Sequence, residues 1–330
     1  MSTDRQPTDS APLLVYVDLS RQEKFHRQEW ELLLGAGNSA GLRLVSEEKD
    51  AECSLVPASP WQFGPGKSVF GYSSPPADSI RRFVWDFGDR PTGYEPGLYC
   101  SLPRLLFDDR RHRSFCYPIN YNEQVSANDF CDASLLFGFV GANSSGLRAR
   151  MTRNLLLHGR ADEMLVTVQG GPWDAMLDRS GLAIKKQYAD ALRRCRFFLC
   201  PRGNGVGSVR LFETMKAARV PVIISDEYVL PTGIDWDGCS IRIAEKDIAD
   251  LPRILRERDG DWARLATNAQ RNWVDNFSEG RLLNSIACHL RELMALPCPL
   301  SLLARARVLG HPAYSKMRSG LTRLRQTIRS

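Results

Sequence analysis

The chain lacks several features that would assign it to a class at once. Its longest apolar run, Leu135 to Ala142, is broken by two glycines. That is far short of the roughly 18 residues a spanning helix needs, so no membrane span is expected. There is no CxxC pair. Nine cysteines, at positions 53, 100, 116, 131, 195, 200, 239, 288 and 298, are odd in number and widely spread. This suits neither a zinc knuckle nor a redox dithiol, and reduced thiols in a cytoplasm are the expectation. Residues 1–12 hold no apolar stretch and carry Asp4, Arg5 and Asp9, unlike a signal or transit peptide, so they read as a flexible leader. His26, His112, His158, His289 and His311 show no ligand spacing, so no metal site is expected. No repeat of fixed period is present.

What is there is ordinary globular composition. Of 330 residues, 43% are hydrophobic and 25% charged, which excludes a disordered or fibrous chain and leaves room for two cores. The net charge of +6 is concentrated at one end. Residues 301–330 hold seven Arg and Lys and no acid, leaving 37 basic against 38 acidic residues elsewhere. A neutral body argues against nucleic-acid binding. The basic tail alternates with Leu302, Leu303, Val308, Leu309, Leu321, Leu324 and Ile328 and is broken around Gly310 to Pro312. Two readings fit it: peripheral contact with an anionic membrane, or a helix packed on the body with a solvated face.

Short apolar runs alternate with amphipathic stretches. Strands are predicted at Leu13–Val17, Leu42–Val45, Cys53–Val56, Ser68–Tyr72, Phe83–Phe87 and Gly97–Ser101, with a helix over Gln28–Gly35. A more regular unit begins near Ser134. It has strands at Leu135–Val140, Met164–Val168, Arg196–Cys200, Val220–Ile224 and Ser240–Ile243, and helices at Arg148–His158, Ile184–Cys195 and Ser208–Arg219. Three more helices follow, over Asp247–Arg258, Asp261–Phe277 and Arg281–Leu296. Strands separated by helices predict α/β domains with parallel, doubly wound sheets. The expected organisation is a leader over 1–12, domains over 13–133 and 134–296, and a basic tail over 297–330.

The stretch Arg196 to Tyr228 carries the chemistry. It reads strand, glycine-rich turn, helix, strand, acidic loop. Gly203, Gly205 and Gly207 allow a tight turn at the carboxyl end of the strand, and Ser208 is placed to cap the next helix. A helix amino end favours a phosphate, and Arg202 and Arg210 flank it, so a diphosphate is the expected ligand. Glu213, one turn further on, can reach ribose hydroxyls. The alternative for Arg210 and Glu213 is a surface ion pair worth a few tenths of a kcal/mol. Both residues are expected outside the packing face, which falls to Leu211, Met215 and Ala218. A competing class is an NAD-binding oxidoreductase. Gly203 and Gly205 start a GxGxxG pattern, with Asp226 about 20 residues on, but Ser208 replaces the third glycine.

The run CPRGNGVGSVRLFETMKAARVPVIISDEYVLP, followed by IDW, SIRI and EKDI, resembles the donor-binding region of the exostosin-type glycosyltransferases. FGFVGANSSGLRARM is similar to that family's entry into its carboxy-terminal domain. The likeness spans about Ser134 to Leu296; WDFGDRPTGYEPGLYCSLPR is loosely similar and the tail is not. The resemblance implies a glycosyltransferase B type fold, two Rossmann-like domains facing a cleft, and inverting transfer from a nucleoside-diphosphate sugar, with UDP-sugar the expected donor. It implies a glycan or glycolipid acceptor and no permanently bound cofactor. Carried onto matching positions, it places Arg148, Arg202 and Arg210 on the diphosphate and Glu213 on the ribose. Gly203, Asn204 and Ser208 fall at the close backbone approach, and Asp226 beside the sugar. Ala218-Arg219 departs from the pattern, because relatives usually have a glycine there. The expected results are a helix end less tightly turned and an influence of Arg219 on closure of the donor domain.

Inverting transfer needs a base for the acceptor hydroxyl and cations for the departing diphosphate, and arginines supply the second without a metal. Asp86 and Asp89 in WDFGD are the candidate bases; the alternative is that they organise a turn at Gly88. Asp235 and Asp237 form a DxD that reads as a structural turn rather than a metal site. His112, among Arg110, Arg111 and Arg113, reads as part of a solvated basic loop. A non-catalytic, glycan-binding relative of the same fold is the remaining alternative.

Overall fold

The structure is a computed structural model that describes residues 11–19, 39–58, 81–89, 91, 93, 95–117, 122–126, 133–168 and 182–296. Residues 1–10 of the expected leader over 1–12, the helix over Gln28–Gly35, the strand over Ser68–Tyr72 and the tail over 297–330 lie outside these residues. The chain separates into two units. Among the described residues, the first takes those up to 117 together with 229–231 and 277–296, and the second takes 122–228 and 232–276. The break therefore falls near 118 rather than 133.

The first unit is one parallel sheet of β1 (Leu13–Val17), β2 (Leu42–Val45), β3 (Cys53–Ala58), β4 (Arg81–Asp86), β5 (Gly97–Tyr99) and β6 (His112–Ser114), in the order β2-β1-β3-β4-β5-β6. Its central strands are apolar on both faces, as Phe83, Val84 and Trp85 show, because a parallel sheet is covered on both sides. Gly97, at φ 152°, lies against its β4 partner Val84 so closely that a Cβ would stand 2.0 Å from the Val84 oxygen, and only glycine fits. β6 was not anticipated. The basic run there is no solvated loop: His112 and Arg111 are buried. His112 Nδ1 accepts the Asp108 amide at 3.0 Å and Nε2 meets the Gly93 carbonyl at 2.9 Å. Burial, with Arg111 beside it, pushes the imidazole down to about 3, so it stays neutral.

In the second unit, β7 (Leu135–Gly141), α1 (Gly146–His158), β8 (Met164–Val168), α2 (Leu182–Arg194), β9 (Cys195–Pro201), α3 (Val209–Lys216), β10 (Val220–Ile224) and β11 (Ile241–Arg242) alternate. They build a parallel sheet in the order β11-β10-β9-β7-β8. α4 (Leu251–Glu257) and α5 (Trp262–Phe277) follow. Side chains alternate across β9. Phe197 and Leu199 join Leu147, Met151, Leu251 and Leu265 on one face, and Phe198 joins Tyr188, Leu192 and Ala217 on the other. The two parallel α/β units are the pair of Rossmann-like domains expected for the glycosyltransferase B type.

The last helix, α6 (Glu279–Ala295), belongs to the first unit, not the second as the order of elements suggests. It buries Leu282, Leu283, Ile286, Ala287, Leu290 and Leu293, an i, i+3, i+4 stripe. Arg81 of β4 caps its carboxyl end, donating to the carbonyls of Leu293, Met294 and Leu296. Arg113 of β6 bonds Glu292 at 2.9 Å, and the Gly41 amide bonds Asn284 at 2.9 Å. Among the described residues, no helix is long and apolar enough to cross a membrane.

Candidate functional site

The strand order of the second sheet reverses between β7 and β9, so the loops leaving their carboxyl ends diverge and open the crevice where doubly wound sheets take ligands. Each loop runs into a helix amino end, that of α1 or α3. Ser145 joins the two loops: its hydroxyl accepts the Arg148 amide at 3.3 Å and donates to the Arg202 carbonyl at 3.2 Å.

Arg148 is buried across both strand ends. Its guanidinium donates to the carbonyls of Pro201, Arg202 and Ala142 and to the Ser144 hydroxyl, at 3.0 to 3.3 Å. Arg210 lies alongside, Nε donating to the Val140 carbonyl at 2.9 Å. Both guanidinium carbons lie within 6 Å of the Phe139 ring centroid, at 5.9 and 5.6 Å, and that of Arg210 lies 6.0 Å from Tyr188. Gly141 makes this possible, since a Cβ there would stand 2.2 Å from Arg210 Nη2. Among the described residues, no carboxylate lies within ion-pair distance of Arg210, so its direct contacts are the Val140 carbonyl and the ring faces, with Glu213 acting on it from further off. Burying a cation in this way leaves a positive potential that an incoming anion can use.

Ser208 is the residue before α3, yet its side chain caps nothing. Its hydroxyl is buried and has no hydrogen-bond partner, contrary to the expected cap. A buried hydroxyl left unbonded at a helix amino end, beside Arg210, suits an anionic ligand. Gly203 is buried close under Arg148 and Ser144, while Asn204 and Asp226 are exposed.

Arg202 is engaged elsewhere. It forms a forked pair with Glu245, at 2.6 and 2.9 Å, a partner the sequence reading missed. The Glu245 bond raises the Arg202 pKa. Partial burial opposes ionisation of Glu245, but Arg202 outweighs it and holds that carboxyl below its ordinary range. Asp226 Oδ1 accepts the Glu245 amide at 3.1 Å, so Arg202, Glu245 and Asp226 form one polar cluster beyond β9 and β10.

Glu213 is neither outside the packing face nor in a surface ion pair. It is buried, as Arg210 is. Oε1 accepts the Asn122 amide at 2.8 Å, and Asn122 Nδ2 donates to the Lys185 carbonyl of α2 at 2.7 Å. Burial raises the Glu213 pKa, against the opposing pull of the Asn122 amide, Tyr188 and Arg210. The Tyr188 hydroxyl is within electrostatic reach of this carboxylate but makes no hydrogen bond of ordinary geometry.

In the first unit, Asp86 ends β4 and its carboxylate accepts the Gly88 amide at 2.9 Å, the turn contact weighed above. Burial pushes its pKa up to about 7, against the Gly88 bond. Asp89 is exposed. Asp235 accepts the Gly238 amide at 3.1 Å, and Asp237 is exposed. Among the described residues, no three His, Cys, Asp or Glu side chains gather as metal ligands.

Ala218 follows α3 at φ 52°, the left-handed conformation that favours glycine, so the helix end is tightly turned without a glycine, contrary to the expectation. Arg219 is fully buried. It donates to the carbonyls of Arg193, Ala217 and Ala218 at 2.7 to 3.3 Å, closing the carboxyl ends of α2 and α3. Every one of these contacts is internal to the second unit, so they give Arg219 a structural place within that unit rather than a visible link to closure.

Residues 131–258 match the family model described as Exostosin GT47 domain. The chain is 32% identical over 154 residues to a protein named Exostosin-1 homolog from Caenorhabditis elegans, covering 43% of this chain and 40% of that one. It is 28% identical over 179 residues to "Probable glycosyltransferase At3g07620" from Arabidopsis thaliana, covering 52% and 37%. The chain thus spans well under half the length of either relative. The crystal structure of TarM superposes with a TM-score of 0.44 at 12% identity, covering 73% of this chain and 54% of that one. The switch-point arginines, Ser208 and Glu213 all lie within residues 131–258, the stretch that matches the Exostosin GT47 domain model.

Proposed function

We propose that the chain is an inverting glycosyltransferase that takes a sugar from a nucleoside-diphosphate sugar, with UDP as the nucleotide, and transfers it to a glycan or glycolipid hydroxyl. The observation that carries this reading is the buried, unbonded Ser208 hydroxyl at the amino end of α3, beside Arg210. Helix dipole, hydroxyl and guanidinium together form a seat for a diphosphate. Arg148 adds a second cation, and Arg202 joins by exchanging Glu245 for phosphate. These cations stabilise the leaving diphosphate without a metal. Glu213 takes the ribose and Asp226 the sugar. Asp86, titrating near neutrality, takes the proton of the acceptor hydroxyl.

Calorimetric titration with UDP, GDP and NAD, with and without a chelator, tests this. Tight UDP binding that the chelator leaves unchanged is expected. Binding of NAD in preference to UDP would move the chain to the oxidoreductases, and failure to bind any nucleoside diphosphate would remove the donor site. UDP binding with no turnover of any UDP-sugar would favour a non-catalytic relative.

A further inference from the structure

Glu213 is an expensive acceptor for the group it holds. Its Oε1 takes the Asn122 amide at 2.8 Å, and both residues are buried. A buried N–H needs a partner, but a backbone carbonyl or a neutral side chain would serve without placing an acid in the core. The amide alone therefore does not account for a carboxylate at this position.

Asn122, for its part, is fixed more firmly than one hydrogen bond requires. Its Nδ2 donates to the Lys185 carbonyl of α2 at 2.7 Å. Its Oδ1 accepts the Gln124 amide at 2.9 Å, an Asx turn, and its carbonyl accepts the Val125 amide at 3.0 Å. Val125 then enters the core with Val140, Tyr188 and Leu192. At the surface, Glu123 pairs with Lys185 at 2.9 Å. Turn, apolar anchor and ties to α2 together give the Asn122 amide one place and one direction. A glutamate side chain has several freely rotating bonds, and a contact to so fixed a donor selects among its rotamers. The carboxylate comes from α3, one turn beyond Arg210 at i, i+3 and so on the same side of the helix. With Oε1 engaged, Oε2 is the oxygen left to address a ribose hydroxyl.

We infer that Asn122 is a positioning residue: its amide, pinned to α2, holds Glu213 Oε1, sets the other oxygen for the ribose, and so gives the site its discrimination between ribose and deoxyribose. The inference rests on the proposed assignment of Glu213 to the ribose. It assigns Asn122 no contact with the nucleotide.

The test measures UDP, 2′-deoxy-UDP and 3′-deoxy-UDP by calorimetry on wild type, Asn122→Ala and Glu213→Ala, each first shown to be folded by its melting transition. Wild type should bind UDP roughly tenfold more tightly than the deoxy form that lacks the contacted hydroxyl, the worth of a hydrogen bond to a charged group. In Asn122→Ala, UDP should weaken to the affinity of that deoxy form, whose own affinity is unchanged, so the ratio falls toward unity. Asn122→Ser keeps an oxygen for the Gln124 amide but loses the donor to Lys185; it should lower the ratio in the same direction, and it carries the test if Asn122→Ala does not fold. A parallel loss for UDP and both deoxy forms, with the ratio kept, would make Asn122 a packing residue and overturn the inference, as would unchanged affinities. Glu213→Ala separates this failure from that of the underlying assignment. If wild type does not discriminate, or Glu213→Ala keeps the wild-type ratio, the ribose assignment falls and the inference with it. If Glu213→Ala loses the ratio while the Asn122 variants keep it, only the role of Asn122 falls.

Discussion

The charge of Arg210 is the most direct lever on the proposed diphosphate seat, and the structure offers two independent ways to move it. Arg210→Met keeps a side chain of similar length against Phe139 and Tyr188 while deleting the guanidinium. The protein loses the bond to the Val140 carbonyl but no longer buries a cation, so the net change in stability is small, within about 2 kcal/mol. Binding loses a charge-assisted contact to phosphate, about 1.5 to 3 kcal/mol, or roughly ten- to a hundredfold in UDP affinity. Gly141→Ala leaves Arg210 in place chemically but puts a Cβ 2.2 Å from its Nη2, so the guanidinium must move off the strand end. Calorimetry with UDP and with uridine reads both variants. Each should lose affinity for UDP and retain that for uridine, which has no phosphate. Equal losses for the two ligands, or undiminished UDP binding in both variants, would refute the assignment of this guanidinium to the diphosphate.

Ser208→Ala should leave thermal stability unchanged, where a working N-cap would cost about 1 kcal/mol, and should weaken UDP several-fold; a lowered melting temperature would show that the hydroxyl caps α3 after all. Arg219→Met strands three helix-end carbonyls and should cost about 3 kcal/mol in denaturant unfolding, with UDP affinity of the folded protein untouched. His289 and Arg113 hold the Glu292 carboxyl down at about 2. A carboxylate depressed in the folded state stabilises above its unfolded pKa and loses that stabilisation as pH falls toward about 2. Glu292→Gln should therefore flatten the acid side of the stability profile, and an unchanged slope would count against it. For Asp86, raised to about 7 by burial, transferase activity should rise with pH through about 7, and Asp86→Asn should abolish turnover while sparing UDP binding; a variant that still turns over would shift the base elsewhere.

Much of the fold was legible because parallel strands buried on both faces read as unbroken apolar runs. Val220–Ile224, buried throughout, is seen at the residues expected, and so is Met164–Val168, an only partly buried strand at the sheet edge. β6 escaped because three residues, one a histidine and one an arginine, carry no such pattern. They are a strand only because the Gly97 to Tyr99 backbone lies beside them. The same limit governs the site. Glycines, Ser208 and the arginines stand close together in sequence and were found. Glu245 lies 43 residues from Arg202, and Asn122 lies 91 from Glu213, so the ion pair and the burial of Glu213 had no local signal. Helical periodicity put Glu213 on an open face because it cannot register a cover that comes from upstream.

That α6 completes the first unit bears on how the molecule is made. The Gly41–Asn284 bond spans 243 residues and the Arg113–Glu292 pair spans 179, so the first sheet emerges from the ribosome long before the helix that covers its Leu282–Leu293 partners exists. Loop closure across such a span grows only logarithmically with length, and a second unit that folds first replaces much of the flexible loop by a compact body. Synthesis order and assembly order therefore differ: the first unit to be translated is the last to be finished. Chains released before residue 296 would expose its apolar sheet face, which makes this segment the point where truncation turns into aggregation.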